Sequence, residues 1–344
     1  MDQNASTIEN AIKGSLNIIE QDREREIISR RFGLTGQKET LEQIGELLNI
    51  TRERVRQLEK AILVRLKIGA EDGQVAELAA AEKLIIRNLT ELGRVARTSD
   101  LADRIFGHKA STTERAELTF LSTISANLTA IDENDYYYAA IGIAEYGDAK
   151  SVHQRVDEVV DVIKQHGEPM TIDQLDEKLN YEHPDHIKAI ASISKSLAHL
   201  NGLWGLAKWP TVNPRNIRDK IFVVLEAKKE PMHFADIAEA ISNSEFRRKN
   251  VTVQAIHNEL IKDSRFVLIG RGIYALSSWG YTRGTVSDII TNVLKKAGGP
   301  LSREEIVKQV LRARKVKETT VLLNLQNKQL FEKVDKDHYT IAKK

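Results

Sequence analysis

Residues 40–59 read Thr40-Leu-Glu-Gln-Ile-Gly-Glu-Leu-Leu-Asn-Ile-Thr51-Arg-Glu-Arg-Val-Arg-Gln-Leu-Glu59, and the rest of the chain is organised around them. Leu41, Ile44 and Leu48 recur at i, i+3 and i+7, which gives one buried helical stripe, while Glu42, Gln43 and Glu46 fall outside it. Asn49 and Ile50 make a turn. Thr51 suits a helix N-cap, because its hydroxyl can accept an otherwise unpaired backbone N–H, and Glu53 in the first turn favours the positive end of the helix dipole. In the second helix Val55, Leu58 and Ile62 point one way and Arg52, Glu53, Arg56, Gln57 and Lys60 the other. Arginine can pair bidentately with guanine, glutamine with adenine, and glutamate can accept from cytosine. Six basic and two acidic residues between Arg52 and Lys67 add attraction for phosphate. The pattern predicts a helix-turn-helix that exposes base-reading side chains; periodicity and charge alone also allow the solvated face of a helical bundle.

Three blocks carry a closer likeness: Arg23-Glu-Arg-Glu-Ile-Ile-Ser-Arg-Arg31-Phe-Gly-Leu, then Thr40-Leu-Glu-Gln-Ile-Gly, then Thr51-Arg-Glu-Arg-Val-Arg-Gln-Leu-Glu59. In order and spacing they resemble region 4 of the housekeeping type of bacterial sigma factor. The resemblance implies that the second helix lies in the major groove of the upstream promoter element and that the module packs on the flap of the RNA polymerase β subunit. Carried over by position, it makes Arg52, Glu53, Arg56 and Gln57 base-reading residues. It makes Arg23, Arg31, Thr40 and Arg54 phosphate contacts, and Lys60 joins them on the outward face. Sigma factors carry this module at the C-terminus, after the domains that melt the promoter. Here it comes first, and no aromatic-rich melting helix precedes it.

Composition bounds the rest. The 344 residues are 41% hydrophobic and 29% charged, which fits a soluble globular protein of two or three domains. There is no cysteine, so disulfides, thiolate metal sites and cysteine nucleophiles are excluded. The first residues lack the basic and apolar regions of a signal peptide, and no run reaches the length of a membrane helix; the expectation is a cytoplasmic, nucleoid-associated protein. The net charge of +2 hides an asymmetry: residues 1–70 carry 12 basic and 11 acidic residues, residues 71–213 carry 14 and 23, and residues 214–344 carry 25 and 15. The acidic middle suits protein contacts or spacing, and the basic C-terminal part suits a phosphate backbone.

From Ser6 to Glu20, Ile8, Ile12, Leu16 and Ile19 keep helical spacing and predict a lead-in helix on the sigma-like module. Residues 33–38 superficially look like a phosphate loop but lack the Gly-Lys-Ser/Thr ending. After the Gly69 to Gly73 linker the chain repeats four times a helix, a break, a short helix, a third helix and two strands. Leu101, Leu175, Ile237 and Ile306 mark equivalent second helices at spacings of 74, 62 and 69 residues. Taking Tyr138, Trp204, Tyr274 and Tyr339 as equivalent aromatics of the closing strands gives 66, 70 and 65. Three helices and a β-hairpin in this order make a winged helix, close to the lower size limit of a self-supporting core, so tight packing between repeats or a partner is expected.

Residues 216–281, from Ile-Arg-Asp-Lys-Ile through Lys-Lys-Glu-Pro-Met-His-Phe-Ala-Asp-Ile to Gly-Ile-Tyr-Ala-Leu-Ser-Ser-Trp279-Gly-Tyr, look like the HARE-HTH winged helix found at the N-terminus of the RNA polymerase delta subunit. The second repeat shares the ending, with Trp209 five residues after Trp204 as Trp279 is five after Tyr274. In delta the module works at polymerase, and elsewhere it accompanies DNA-modifying or chromatin-linked domains. The aromatics are expected to anchor wing strands to helices, and one ring of residues 136–138 to be exposed, since alternate residues of a strand face opposite ways. Arg247, Arg248 and Lys249, and Arg312, Arg314, Lys315 and Lys317, precede the third helices of their repeats and are candidate phosphate contacts.

Catalytic motifs are absent from the sequence; the one dense group of metal-capable residues, His183, His186 and Glu182, reads as loop solvation or capping. The chain is therefore expected to be mainly α with small β-wings: a helix-turn-helix over 1–70 and winged repeats over 74–148, 151–211, 214–282 and 284–344. The expected function is a non-enzymatic, DNA-binding transcription factor, with core RNA polymerase and double-stranded promoter DNA as partners and no cofactor, metal, membrane or small-molecule substrate. A stand-alone regulator and an accessory subunit of a DNA-modifying system are the alternatives.

Overall fold

The computed structural model describes residues 2–181, 183–244, 251–281 and 283–342. The chain divides into two compact units, residues 1–208 and 209–344, and the architecture is mainly α with small antiparallel sheets. Among the described residues no helix is long and apolar enough to cross a membrane.

The first unit opens with α1 (Asp2–Asn17) and the helix-turn-helix of α2 (Asp22–Phe32), α3 (Leu41–Leu48) and α4 (Arg52–Glu71). Local sequence sets each boundary. Thr40 and Gln43 form a reciprocal capping box at the start of α3, Asn49 ends it in the left-handed conformation at φ 56, and the Thr51 hydroxyl accepts from Arg54 N to start α4. Ile27, Ile44 and Val55 are fully buried against one another, with Leu41, Leu48, Ile50 and Leu58 around them. Gly45 is required by this turn: a Cβ there would lie 2.7 Å from the Ile50 carbonyl oxygen.

The first winged repeat follows as α5 (Ala76–Glu91), β1 (Val95–Arg97), α6 (Thr98–Phe106), α7 (Thr112–Ile124), β2 (Leu128–Ile131) and β3 (Ala140–Ile143), with strand order β1-β3-β2. The second is α8 (Ala149–His166), α9 (Ile172–Leu179), α10 (Pro184–Ile193), β4 (Leu197–Leu200) and β5 (Leu203–Leu206), its outer strand reduced to the bridge between Met170 and Trp204. The second unit holds the other two repeats. One is α11 (Ile217–Lys228), β6 (Met232–His233), α12 (Phe234–Ser242), α13 (Val253–Lys262), β7 (Phe266–Gly270) and β8 (Ile273–Leu276). The other is α14 (Val286–Ala297), β9 (Leu301–Ser302), α15 (Arg303–Ala313), α16 (Glu318–Leu325), β10 (Phe331–Lys333) and β11 (His338–Ile341).

Three features differ from the sequence expectation. Helix α1 packs chiefly on α5, α6 and α7 of the first winged repeat, and one continuous core joins Ile8, Ala11 and Ile12 to Ile28, Ile62 and Leu66 of the helix-turn-helix and to Ile85, Leu101 and Phe120 of the winged repeat. Strand register also corrects the aromatic alignment. Met170 pairs Trp204, Met232 pairs Tyr274 and Leu301 pairs Tyr339, and the matching pair in the first repeat is Ala96 with Ile141, not Tyr138.

The closing strand of that repeat accordingly starts at Ala140 rather than Asp135. The Asn134 side chain accepts from the amides of Tyr136 and Tyr137 and turns the chain, which then runs along the second repeat. There Tyr138 N donates to Ile193 O and Lys195 N to Tyr136 O, at 2.9 and 2.8 Å. Tyr137 stacks on His153 at 4.0 Å and donates its hydroxyl to Asp157, so the tyrosine triplet joins two repeats. Tyr136 is the exposed ring, at 67%.

Candidate nucleic-acid interface

Helix α4 presents two faces with separate tasks. Val55, Ile62 and Leu66 are buried; Arg52, Glu53, Arg54, Arg56, Gln57 and Lys60 are all exposed. The exposed side chains form a network. Arg56 grips Glu53 with both prongs of its fork, Nε to Oε2 at 2.8 Å and Nη2 to Oε1 at 2.7 Å, Gln57 Nε2 donates to the same Oε1 at 3.3 Å, and Arg54 reaches Gln57 Oε1 at 3.5 Å. Hydrogen bonding from Arg56 holds the Glu53 carboxyl down at about 2, and Glu53 in turn raises the guanidinium of Arg56 above its ordinary value. The surface therefore offers a fixed carboxylate acceptor flanked by cationic donors, the chemistry that base edges require.

The expected phosphate contacts fall into two groups. Arg54 and Lys60 are exposed on α4. Arg23 donates to the Leu48 carbonyl at 2.5 Å and ties α2 to the end of α3. Half-buried Arg31 pairs with Glu59 at 3.0 Å, and Thr40 is engaged in its capping box. These three residues hold the helix-turn-helix in shape from positions beside its turn.

Beside the helix-turn-helix lies a cleft of about 900 Å³ that sequence reasoning missed, where Arg31 and Lys38 face Arg97 and Arg115 of the first winged repeat, with Thr98, Ser99, Thr112 and Tyr138 between them. Its lining comes from segments far apart in the chain, so no local motif could announce it.

The winged repeats differ in what their third helices expose. In α7 only Thr112 is exposed, because α1, α2 and α4 cover the helix; in α10 the exposed residues are Asp185 and Lys188. By contrast α13 exposes Val253, Gln254, Asn258, Ile261 and Lys262, and α16 exposes Glu318, Thr319 and Leu323. Of the expected basic residues, Arg312, Lys315 and Lys317 are exposed. Arg314 is turned inward instead: Nη2 donates to Leu268 O at 2.8 Å, Nε is buried without a partner, and burial lowers its affinity for the proton. Arg247, Arg248 and Lys249 lie outside the described residues.

Trp204 and Tyr274 are buried at 6% and 2% exposure, and Tyr339 packs on the core of the last repeat. All three anchor wings to helices. His183 accepts from Asp185 N and caps α10, and His186 lies near the Tyr146 ring. Among the described residues, which exclude Glu182, no group of three metal-capable side chains assembles.

Comparison with known families agrees with this geometry in two places. Residues 21–67 match the family of sigma-70, region 4, and residues 216–279 match HARE-HTH, the HTH domain described for ASXL and restriction endonuclease proteins. The chain is 46% identical over 59 residues to the chloroplastic RNA polymerase sigma factor sigF of Arabidopsis thaliana, covering 17% of this chain and 11% of that one. It is 50% identical over 46 residues to RNA polymerase sigma factor SigA1 of Synechococcus elongatus, covering 13% and 12%. The chain thus spans about an eighth or less of the length of these relatives. Its N-terminal module is a sigma region 4 helix-turn-helix, a DNA-binding element of transcription.

Proposed function

We propose that this protein is a non-catalytic transcription factor of the cytoplasm and nucleoid. In this reading α4 binds upstream promoter DNA while the module is docked at RNA polymerase, with the flap of the β subunit as its protein contact. The observation that carries the reading is the exposed Arg52, Glu53, Arg56 and Gln57 surface on a module of region 4 type. The covered third helices of the first two winged repeats support a scaffolding task for them, with the rest of the chain modulating initiation or core recycling.

Val64 and Ile68, one helical turn apart on α4 and 49% and 51% exposed, offer apolar surface for a protein contact. The test is co-elution of the full chain with core RNA polymerase. Co-elution that is lost in Val64→Glu/Ile68→Glu and kept in Arg56→Ala supports docking through the module. Absence of co-elution at micromolar concentration, with promoter binding intact, favours a stand-alone regulator. A deletion of residues 1–72 is the wrong instrument, since it would strip α1 and α4 from the shared core.

A further inference from the structure

In the second compact unit the last winged repeat is bonded to the wing of the repeat before it. Strand β7 lies at the edge of its sheet, in the order β6-β8-β7. Residues 314–317, the link between α15 and α16, lie along that open edge. Lys315 N donates to Ile269 O at 3.1 Å, Arg314 donates to Leu268 O at 2.8 Å, and the carbonyl of Lys315 approaches Gly270 so closely that a Cβ there would lie 3.0 Å from it. Backbone and guanidinium thus fasten one repeat to the next where a sheet edge would otherwise be unpaired.

The fastening fixes where charges stand. Arg314 and Lys317 have extended backbone, and Val316 packs into the core of the last repeat, so Lys315 and Lys317 point away from that core on the same side. Arg271, at the tip of the wing between β7 and β8, is the next residue after the one that Lys315 touches. Arg271, Arg312, Lys315 and Lys317 are all exposed, and among the described residues none of them has an ion-pair partner. The adjacent acid is Glu318, at the start of α16. The part of the chain that carries this patch has 25 basic and 15 acidic residues over 214–344.

We propose that the last two winged repeats form one composite surface for the phosphate backbone of duplex nucleic acid. The wing tip of the third repeat and the entrance to the third helix of the fourth bind together, and Arg314 acts as the positioning residue that aligns them. Neither repeat alone presents the patch. A duplex suits it because cations on a wing and at a helix entrance lie at the spacing of successive phosphates, and neutralising phosphates releases counterions whatever the base sequence.

The proposal is independent of base reading by α4, and the test separates them. Binding of the full chain to a short duplex of mixed sequence is followed by fluorescence anisotropy across a salt series. Arg271→Ser/Lys315→Ser/Lys317→Ser, all at exposed positions, is expected to lower the slope of log affinity against log salt by about 2 to 3 and to weaken binding about tenfold at low salt. Arg314→Leu, which leaves the three exposed cations in place, is expected to weaken binding several-fold, and Arg314→Lys, still able to donate to the Leu268 carbonyl, to restore it. A wild-type slope and affinity in the triple variant would overturn the proposal, as would be found if the patch served an acidic protein. A wild-type affinity in Arg314→Leu would overturn the composite surface. Failure of α4 as a reader shows separately, as unchanged sequence preference in Arg56→Ala.

Discussion

Glu53 and Arg56 set the chemistry of the reading face. The Glu53 carboxyl, held at about 2, lies below its ordinary value, so any stability it lends is present above the ordinary carboxylate range and lost as pH falls towards 2. Base recognition by this pair should therefore be insensitive to pH from 5 to 8, measured as promoter affinity across that range. Glu117 on α7 behaves in the opposite sense. Burial, with Glu114 and Glu9 nearby, pushes its carboxyl up to about 7; Glu114 is itself bonded to His108, and Glu9 to Lys13. A raised carboxyl favours the folded state at low pH, and that contribution is lost as pH rises through 7. With its partial exposure discounted, the effect is on the order of 1 kcal/mol. Glu117→Gln should remove that part of the pH dependence of the melting temperature between pH 5 and 8; an unaltered profile would rule the burial argument out.

Elements follow from local signals more faithfully than their assembly does. The boundaries of α3 and α4 were legible in Thr40, Gln43, Asn49 and Thr51 because caps and turns depend on residues within a few positions of each other. The four winged repeats were legible because the order of helices and strands recurs. The role of Tyr138 was not: its place depends on the Asn134 turn and on Ile193, 55 residues further on. Arg314 looked like a surface cation for the same reason, its partner being a carbonyl 46 residues away. Gly45→Ala tests the turn. Its Cβ meets backbone rather than a movable side chain, so a loss of about 1 to 3 kcal/mol is expected in chemical denaturation. A cost within a few tenths of a kcal/mol would show that the turn relaxes.

For the molecule as a whole, the shared core is the feature that sequence order conceals. Sequence divides residues 1–70 from 74–148, yet Ile8, Ile62, Leu66, Leu101 and Phe120 lie in one cluster. Helical periodicity says which face of a helix is buried but not which neighbour buries it. A fragment of residues 1–208 should unfold cooperatively, whereas a fragment of residues 73–208 should lose native near-ultraviolet dichroism, having exposed Ile85, Leu101 and Phe120. The central claim is that α4 reads promoter DNA. Its most direct test is the ratio of affinities of the full chain for an upstream promoter duplex and for a scrambled duplex, in wild type and in Arg56→Ala at one salt concentration. A base contact made by Arg56 predicts that this ratio falls by about 1 to 3 kcal/mol, roughly 5- to 150-fold. An unchanged ratio would contradict it.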